Sequence, residues 1–392
     1  MERKNDIQKI FISAGEASGD IYGAELAVAL KKHVKNAELH GIGLSRMKKA
    51  GVRLLLNMEK HSVMGVTEIL TSLFENYKNI RLAGNFFVEA GIDALVLIDY
   101  AGFNVRLAKL ARAAGIPVYF FIPPKLWAWG EFRVKKLRSC VDRIYSIFPF
   151  EKKFFEDRGI ETKFFGHPIF DVIKASGFDF KKFLDGEKHA GKRIKNKIIL
   201  MPGSRKAEIE NQLPLIKKCA AAINENYSKT IEGLEFIIPI APSTDTALLK
   251  KKLKNAGFPY KFVEKDDSKY QCFSEAALAI ATSGTATLEL ALFGVPMVIL
   301  YKVALLTELA GRILVNTKFV GLPNIIHGAS VVPELLQREA NFDNVMYHAS
   351  KIIENQRYGE KMRQLLLETP ELLKFNAAGS PIDLIARDIA AN

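Results

Sequence analysis

Lys9-Ile-Phe-Ile-Ser13-Ala-Gly15-Glu16-Ala17-Ser18-Gly19-Asp20 is the stretch on which the fold turns. Lys9 to Ser13 is a short apolar run, as in a strand covered on both faces. Asp20 to Lys32 then sets Ile21, Ala24, Leu26, Val28 and Leu30 at helical spacing. Glycines fill the turn between them, where the backbone can approach a ligand closely. Strand, glycine turn and helix in that order open a parallel α/β unit, since parallel strands need a crossover. The alternation continues. Leu39 to Gly43, Ala94 to Ile98, Pro117 to Phe121, Arg143 to Ile147 and Lys163 to Phe165 are all strand-like, with amphipathic stretches between them.

The pattern pauses over Asp171 to Lys197, which is polar, lysine-rich and weakly periodic. It restarts at Ile198-Ile-Leu-Met201 and goes on through Glu235 to Ile240, Leu278 to Ala281 and Pro296 to Tyr301. From about Asn341 only helical spacing is left. The expectation is two doubly wound α/β domains, 1–185 and 186–358, with helices over 359–392. A length of 392 residues agrees with two domains at roughly 150 residues each. Such a pair places a cleft between the carboxyl ends of two sheets, where ligands of open α/β folds sit.

Composition excludes several classes. With 48% hydrophobic and 25% charged residues, the chain is neither disordered nor a disulfide scaffold. No uninterrupted apolar run reaches the ~18 residues of a membrane span. Met1-Glu-Arg-Lys-Asn-Asp leads into a short apolar run that stops at Gly15-Glu16, unlike a signal peptide. Cys140, Cys219 and Cys272 are far apart, form no metal pattern and fit a reducing cytoplasm. Lys and Arg number 56 against 43 Asp and Glu, for a net charge of +13. That balance draws phosphates, anionic lipid or nucleic acid; no nucleic-acid motif accompanies it.

Three strand-to-helix junctions carry chemistry. At the first, Gly15, Ser18 and Gly19 expose backbone, while Glu16 and Asp20 suit sugar hydroxyls or helix capping better than a phosphate. At the second, Met201-Pro202-Gly203-Ser204-Arg205, Gly203 and Ser204 offer backbone donors and Arg205 a fork for phosphate oxygens. At the third, Ser283-Gly284-Thr285-Ala286-Thr287-Leu288-Glu289, small hydroxyl residues open a helix, and Glu289 one turn later suits the two hydroxyls of a ribose. Two such junctions in one domain point to a nucleotide. Asp93 and Asp99 flank the run Ala94 to Ile98; Asp99, at the strand's carboxyl end, is placed to accept a proton from a hydroxyl, and Asp93 reads as a second such carboxylate or only as a turn residue at the strand's start. After Val63-Met64-Gly65, the residues Val66, Ile69, Leu70, Leu73, Phe74 and Tyr77 lie on one wide helical stripe, which serves a core or a greasy surface for acyl chains. Trp127-Ala-Trp129 followed by Arg133, Lys135, Lys136 and Arg138 fits an anionic membrane surface. Walker A, Gly-x-Ser-x-Gly and His-Glu-x-x-His motifs are absent.

These blocks together resemble the lipid-A-disaccharide synthase family, inverting glycosyltransferases of GT-B architecture. The matches run in the family's order along nearly the whole chain: Ala14 to Asp20, Val63-Met64-Gly65, Ile98-Asp99 with Phe103-Asn104, Leu126 to Trp129, Phe165 to Pro168, Pro202 to Arg205, Ser283 to Glu289, and Leu322-Pro323-Asn324 with Val332 to Gln337. The resemblance implies two Rossmann-like domains facing a central cleft, with C-terminal helices that cross back to the first domain or swap in a homodimer. It implies transfer of 2,3-diacylglucosamine from UDP-2,3-diacylglucosamine to diacylglucosamine 1-phosphate by a cytoplasmic enzyme peripheral to the inner membrane, with no cofactor and no metal. Gly203, Ser204, Arg205, Ser283, Gly284, Thr285, Thr287, Glu289, Asn324 and Gln337 then fall on the donor side. Gly15, Glu16, Ser18, Gly19, Asp20 and Asn104 fall on the acceptor side, and Asp99 or Asp93 is the base. Met64, Val66, Ile69, Leu73 and Phe74 become the acyl or membrane contact. Departures are confined to details. Gly102 stands where many members carry a second Asp, Gly43-Leu44-Ser45 replaces Gly-Gly-Pro, and Pro123-Pro124-Lys125 replaces Ser-Pro. Competing readings are another GT-B enzyme of UDP-amino sugars (an N-acetylglucosaminyltransferase or an epimerase) and a non-catalytic binder of anionic lipid or nucleic acid.

Overall fold

A computed structural model describes residues 7–58, 69–128, 130–189, 195–240, 244–264, 266–302, 318–376 and 379–391. The chain forms two compact units, Met1–Asp171 with Leu373–Asn392, and Val172–Leu372.

In the first unit, seven strands form one parallel sheet: β1 Lys9–Ala14, β2 Glu38–Gly43, β3 Arg53–Asn57, β4 Ala94–Ile98, β5 Val118–Phe121, β6 Arg143–Tyr145 and β7 Glu161–Lys163. Their order is β3-β2-β1-β4-β5-β6-β7. All five residues of β4 are buried, which is why its sequence is a continuous apolar run rather than an alternating one. Phe11 of β1 meets Phe87 edge-on at 5.0 Å in the core. Strand order reverses between β1 and β4, and their register sets Ala14 beside Ile98. The chain therefore leaves the sheet at Gly15 and at Asp99 side by side, at the switch point where such folds bind ligands.

The last helix, Pro381–Ala390, belongs to this unit. It buries Ile382, Ile385, Ala386 and Ile389, one face of a 3.6-residue period. The Ser380 hydroxyl caps its start by accepting from the Asp383 N–H. The Asp388 carboxylate accepts hydrogen bonds from Arg143 at 2.9 Å, from the Tyr145 hydroxyl at 2.8 Å and from Lys163.

The second unit holds a six-stranded parallel sheet: β8 Lys197–Met201, β9 Glu235–Pro239, β10 Tyr260–Val263, β11 Ala276–Thr282, β12 Met297–Tyr301 and β13 Glu334–Leu336. The order is β10-β9-β8-β11-β12-β13, so the reversal falls between β8 and β11, with Met201 beside Ala281. The two glycine-bearing junctions of the sequence thus leave this sheet next to each other.

Both domain boundaries differ from the expected ones. The first unit ends at Asp171, not at 185. The segment after it is polar on average, yet Phe178 and Phe180 each lie 5.3 Å from Phe293 and pack on the second unit. The chain returns to the first unit at Leu373, not at 359. The helix Gln356–Leu366 stays with the second unit because Met362 and Leu366 are buried there and the Arg363 guanidinium donates to the Ala276 carbonyl.

Candidate active site

Asp99 follows the end of β4 in a left-handed backbone conformation, φ +49°, and Tyr100 repeats it at φ +45°. Two consecutive non-glycine residues there cost of order 1–3 kcal/mol each and persist only where neighbours hold them. Asn104, fully buried, does the holding. Its Nδ2 donates to the carbonyls of Asp99 at 2.8 Å, Ile98 at 3.2 Å and Ser13 at 3.3 Å, while its Oδ1 accepts from the Ser13 hydroxyl at 2.7 Å. The Tyr100 ring packs against Gly15, where a Cβ would come within 2.2 Å of it. Gly15 is therefore required by a close approach, not by a positive φ. Burial raises the Asp99 carboxyl above the usual aspartate range; the Tyr100 backbone N–H and the charge of Lys125 oppose it in part. A carboxylate so placed is a stronger base than an exposed one.

Glu16 and Ser18 are exposed at the same turn and remain open to a ligand. Asp20 does not. It is buried and accepts from the N–H groups of Leu44, Arg46 and Met47, joining the first helix to the turn after β2. Gly19 packs against Ala14, 3.3 Å from where its Cβ would lie. Of the two readings of Asp93, the structure shows the one at the start of the strand. The residue precedes β4, at the amino end of the sheet, and its Oδ2 accepts from Gln8 N–H and Lys9 N–H at 3.0 and 2.8 Å. It secures the start of β1 and stands a full strand away from Asp99.

In the second unit Gly203 takes φ +100° and turns the chain into the helix Lys206–Tyr227. The Ser204 N–H, expected to face phosphate, instead donates to Glu208 Oε2 at 2.9 Å, and the Arg205 N–H donates to the same oxygen at 3.2 Å. The Arg205 side chain is 77% exposed, with Nη1 3.8 Å from Glu208 Oε1. Its fork is thus available for an anion while the carboxylate fixes the turn that carries it. Gly284 and Thr285 are exposed at the start of the helix Thr285–Leu292, whose first N–H groups point out of its end. Ser283 and Thr287 hold that junction from inside: the Ser283 hydroxyl donates to the Val320 carbonyl at 3.1 Å and the Thr287 hydroxyl to the Gly284 carbonyl at 2.7 Å. The hydroxyl of Thr282, the last residue of β11, is buried without a partner. Glu289 Oε2 pairs with Lys269 Nζ at 2.9 Å, both side chains partly exposed.

Asn324, expected to line the donor site, is spent on structure. Its Oδ1 accepts from the Val331 and Val332 N–H groups, and its Nδ2 donates to the Val332 carbonyl and to Glu334. Glu334 in turn accepts from the N–H groups of Val320 and Gly321. The pair orders the segment that leads into β13, at whose carboxyl end Gln337 sits half-buried at φ +48°. Met64 and Val66 lie outside the described residues. Ile69, Leu73 and Phe74 fall on the helix Ile69–Glu89, but their side chains are outside the described ones. From Tyr77 onward that helix buries Ile80, Ala83 and Phe87 and leaves Tyr77 58% exposed.

A family profile described as lipid-A-disaccharide synthetase matches residues 10–380. The chain belongs to the lipid-A-disaccharide synthase family. A lipid-A-disaccharide synthase of Geobacter sulfurreducens is 35% identical, over 98% of this chain and 100% of that one. One from a Sulfurihydrogenibium species is 37% identical over 86% of each. Among solved structures, the UDP-GlcNAc 2-epimerase of Neisseria meningitidis bound to UDP-GlcNAc aligns with TM-score 0.63 at 14% identity, covering 98% of this chain and 100% of that chain. The epimerase of Rickettsia bellii aligns at 0.55 with 14% identity, again over 98% and 100%. At such identities the likeness is one of fold, and that fold is GT-B: two Rossmann-like units, each with its loops at a switch point.

The sequence missed Glu208, Glu334 and Tyr100. Glu208, three residues after Arg205 at a helix start, carried a readable capping signal. Tyr100 carried none, because only the fold brings it over Gly15.

Proposed function

We propose that this chain transfers 2,3-diacylglucosamine from UDP-2,3-diacylglucosamine to 2,3-diacylglucosamine 1-phosphate, giving a β-1,6-linked disaccharide 1-phosphate and UDP. The observation that supports it most is Asp99, a half-buried carboxylate on a backbone that Asn104 fixes at the switch point of the first sheet, in a chain of this family. In the proposed step the acceptor 6-hydroxyl attacks the anomeric carbon of the donor opposite UDP. The new carbon–oxygen bond forms as the bond to the β-phosphate oxygen breaks, so configuration inverts. The hydroxyl proton passes to Asp99. Negative charge grows on the departing diphosphate, and the Arg205 guanidinium with the N–H groups at Gly284 and Thr285 meets it most strongly in the transition state. Glu289 takes the ribose hydroxyls and Gln337 lines the same end of the sheet. With those cations and dipoles supplied by the chain, the proposed reaction needs no divalent metal, and EDTA leaves it unchanged.

Peripheral attachment to the cytoplasmic face of an inner membrane belongs to the same proposal. Among the described residues no helix is long and apolar enough to cross a membrane. Phe132 is 75% exposed and is followed by Arg133, Lys135 and Lys136.

The test is UDP release with the diacylated donor and acceptor, with UDP-N-acetylglucosamine in parallel. Acceptor-dependent release from the acylated donor alone is expected, reduced roughly 100-fold or more in Arg205→Ala. Release from the unacylated donor at the same rate, or from neither, rejects the substrate assignment.

A further inference from the structure

The turn after β5 has an architecture that the base and the donor site do not account for. It begins at Ile122, φ +58°, and runs Pro123-Pro124-Lys125-Leu126-Trp127-Ala128. The Leu126 N–H donates to the Pro124 carbonyl at 2.7 Å and the Ala128 N–H to the Lys125 carbonyl at 3.1 Å. Leu126 is buried, and the Trp127 indole N–H donates to Glu151 Oε1 at 2.9 Å. Glu151, itself buried, is held by the N–H groups of Ile147 and Phe148 on its other oxygen. From 122 to 128 only Lys125 is exposed. A turn bound at this many points presents a single ammonium to solvent.

Its position follows from the sheet. β5 lies between β4 and β6, and the Asp99 N–H donates to the Phe121 carbonyl at 3.2 Å, so the turn leaves the sheet beside Asp99. The Lys125 charge reaches three groups along this edge, Asp99, Glu151 and the buried His167, and favours the less protonated form of each. None of them closes an ion pair with it: Glu151 is occupied by N–H donors, and His167 accepts from the Ile169 N–H as a neutral ring.

We propose that Lys125 binds the phosphate group of the acceptor sugar and thereby selects a phosphorylated acceptor. This rests on the reaction proposed above. A phosphate monoester with a second pKa near ~6 is largely dianionic at neutral pH, and a lysine meets it as a point charge. Asp99 receives the reacting hydroxyl while Lys125 holds the phosphate on the same sugar ring, which fixes the acceptor's direction in the site.

The experiment compares wild type, Lys125→Ala and Lys125→Arg with two acceptors, diacylglucosamine 1-phosphate and diacylglucosamine without the phosphate. With the phosphorylated acceptor, Lys125→Ala should raise the acceptor KM about 10- to 100-fold, leaving the donor KM and kcat near wild type; Lys125→Arg should restore most of it. With the unphosphorylated acceptor the three proteins should be alike. An equal penalty with both acceptors, or only a shift of the acid limb of the pH profile, would mean that Lys125 merely tunes Asp99 and overturns the assignment alone. Wild-type protein that releases no UDP with either acceptor overturns the reaction and the assignment together.

Discussion

At the scale of single residues, the site separates the groups proposed to do chemistry from the groups that hold them. Asp99 and Asn104 are both polar, both in one motif, and both legible in the sequence. Their division of labour is not, because Asn104 holds the backbone at Asp99 by donating to the carbonyls of Asp99, Ile98 and Ser13, which only the fold brings together. Which of its two readings Asp93 takes was hidden for a related reason: the N–H groups that hold its carboxylate, those of Gln8 and Lys9 at the start of β1, lie some 85 residues away in the chain. Asp99→Asn keeps the shape and removes the base, so kcat should fall by about 10²- to 10⁴-fold while UDP still protects the variant against heat. The pH profile follows from the sign of the shift. As the proposed base Asp99 must be ionised, and burial has raised its pKa. Activity should therefore be full above that raised value and fall as pH drops through it, an acid limb lying above the ordinary aspartate value of ~3.9. A variant with near-wild-type kcat, or the same acid limb in both proteins, removes Asp99 from the role of base.

At the scale of elements, strand periodicity was easy to read because buried parallel strands leave apolar runs with glycine turns after them. Segment ownership was not. The 171–197 stretch looks like a linker by its average polarity, and three phenylalanines decide otherwise by where they pack. The C-terminal helix shows the same limit: its apolar face is plain in the sequence, but the partners of Asp388 lie on β6 and β7. Burial alone would raise the Asp388 pKa, yet hydrogen bonds from Lys163 and Tyr145 and the charge of Arg143 outweigh it and hold the carboxyl below its usual range. A carboxyl whose folded pKa is depressed stabilises the fold above its unfolded value of ~3.9, and that contribution is lost as pH falls through the folded value. Asp388→Ala should cost about 1.5–3 kcal/mol at pH 7, read as a lower urea midpoint. The gap between variant and wild type should close as the pH falls through the depressed pKa. A constant gap across that range would mean that packing of the helix, not the carboxylate, secures it.

At the scale of the whole molecule, the charge of +13 acts beyond any one contact. It concentrates anions near the surface, and both proposed substrates are anionic lipids that reside in a bilayer. Each Lys or Arg close to an anionic leaflet adds about 1 kcal/mol, within a Debye length of ~10 Å at 0.1 M salt. Charge alone gives attachment that salt reverses; an inserted apolar side chain gives a part that salt does not reverse. Phe132, exposed beside Arg133, Lys135 and Lys136, offers both in one place. Sedimentation with vesicles should separate them. Binding to phosphatidylglycerol-containing vesicles should be strong at ~50 mM salt and fall steeply by ~500 mM, as screening shortens the reach of each charge, with little binding to neutral phosphatidylcholine. Phe132→Ser should lower the salt-resistant remainder and leave the slope with salt in place, because it removes buried apolar area and no charge. Equal binding to neutral and anionic vesicles would show that the basic surface serves the phosphorylated substrates alone, and that some other part of the chain brings it to the membrane.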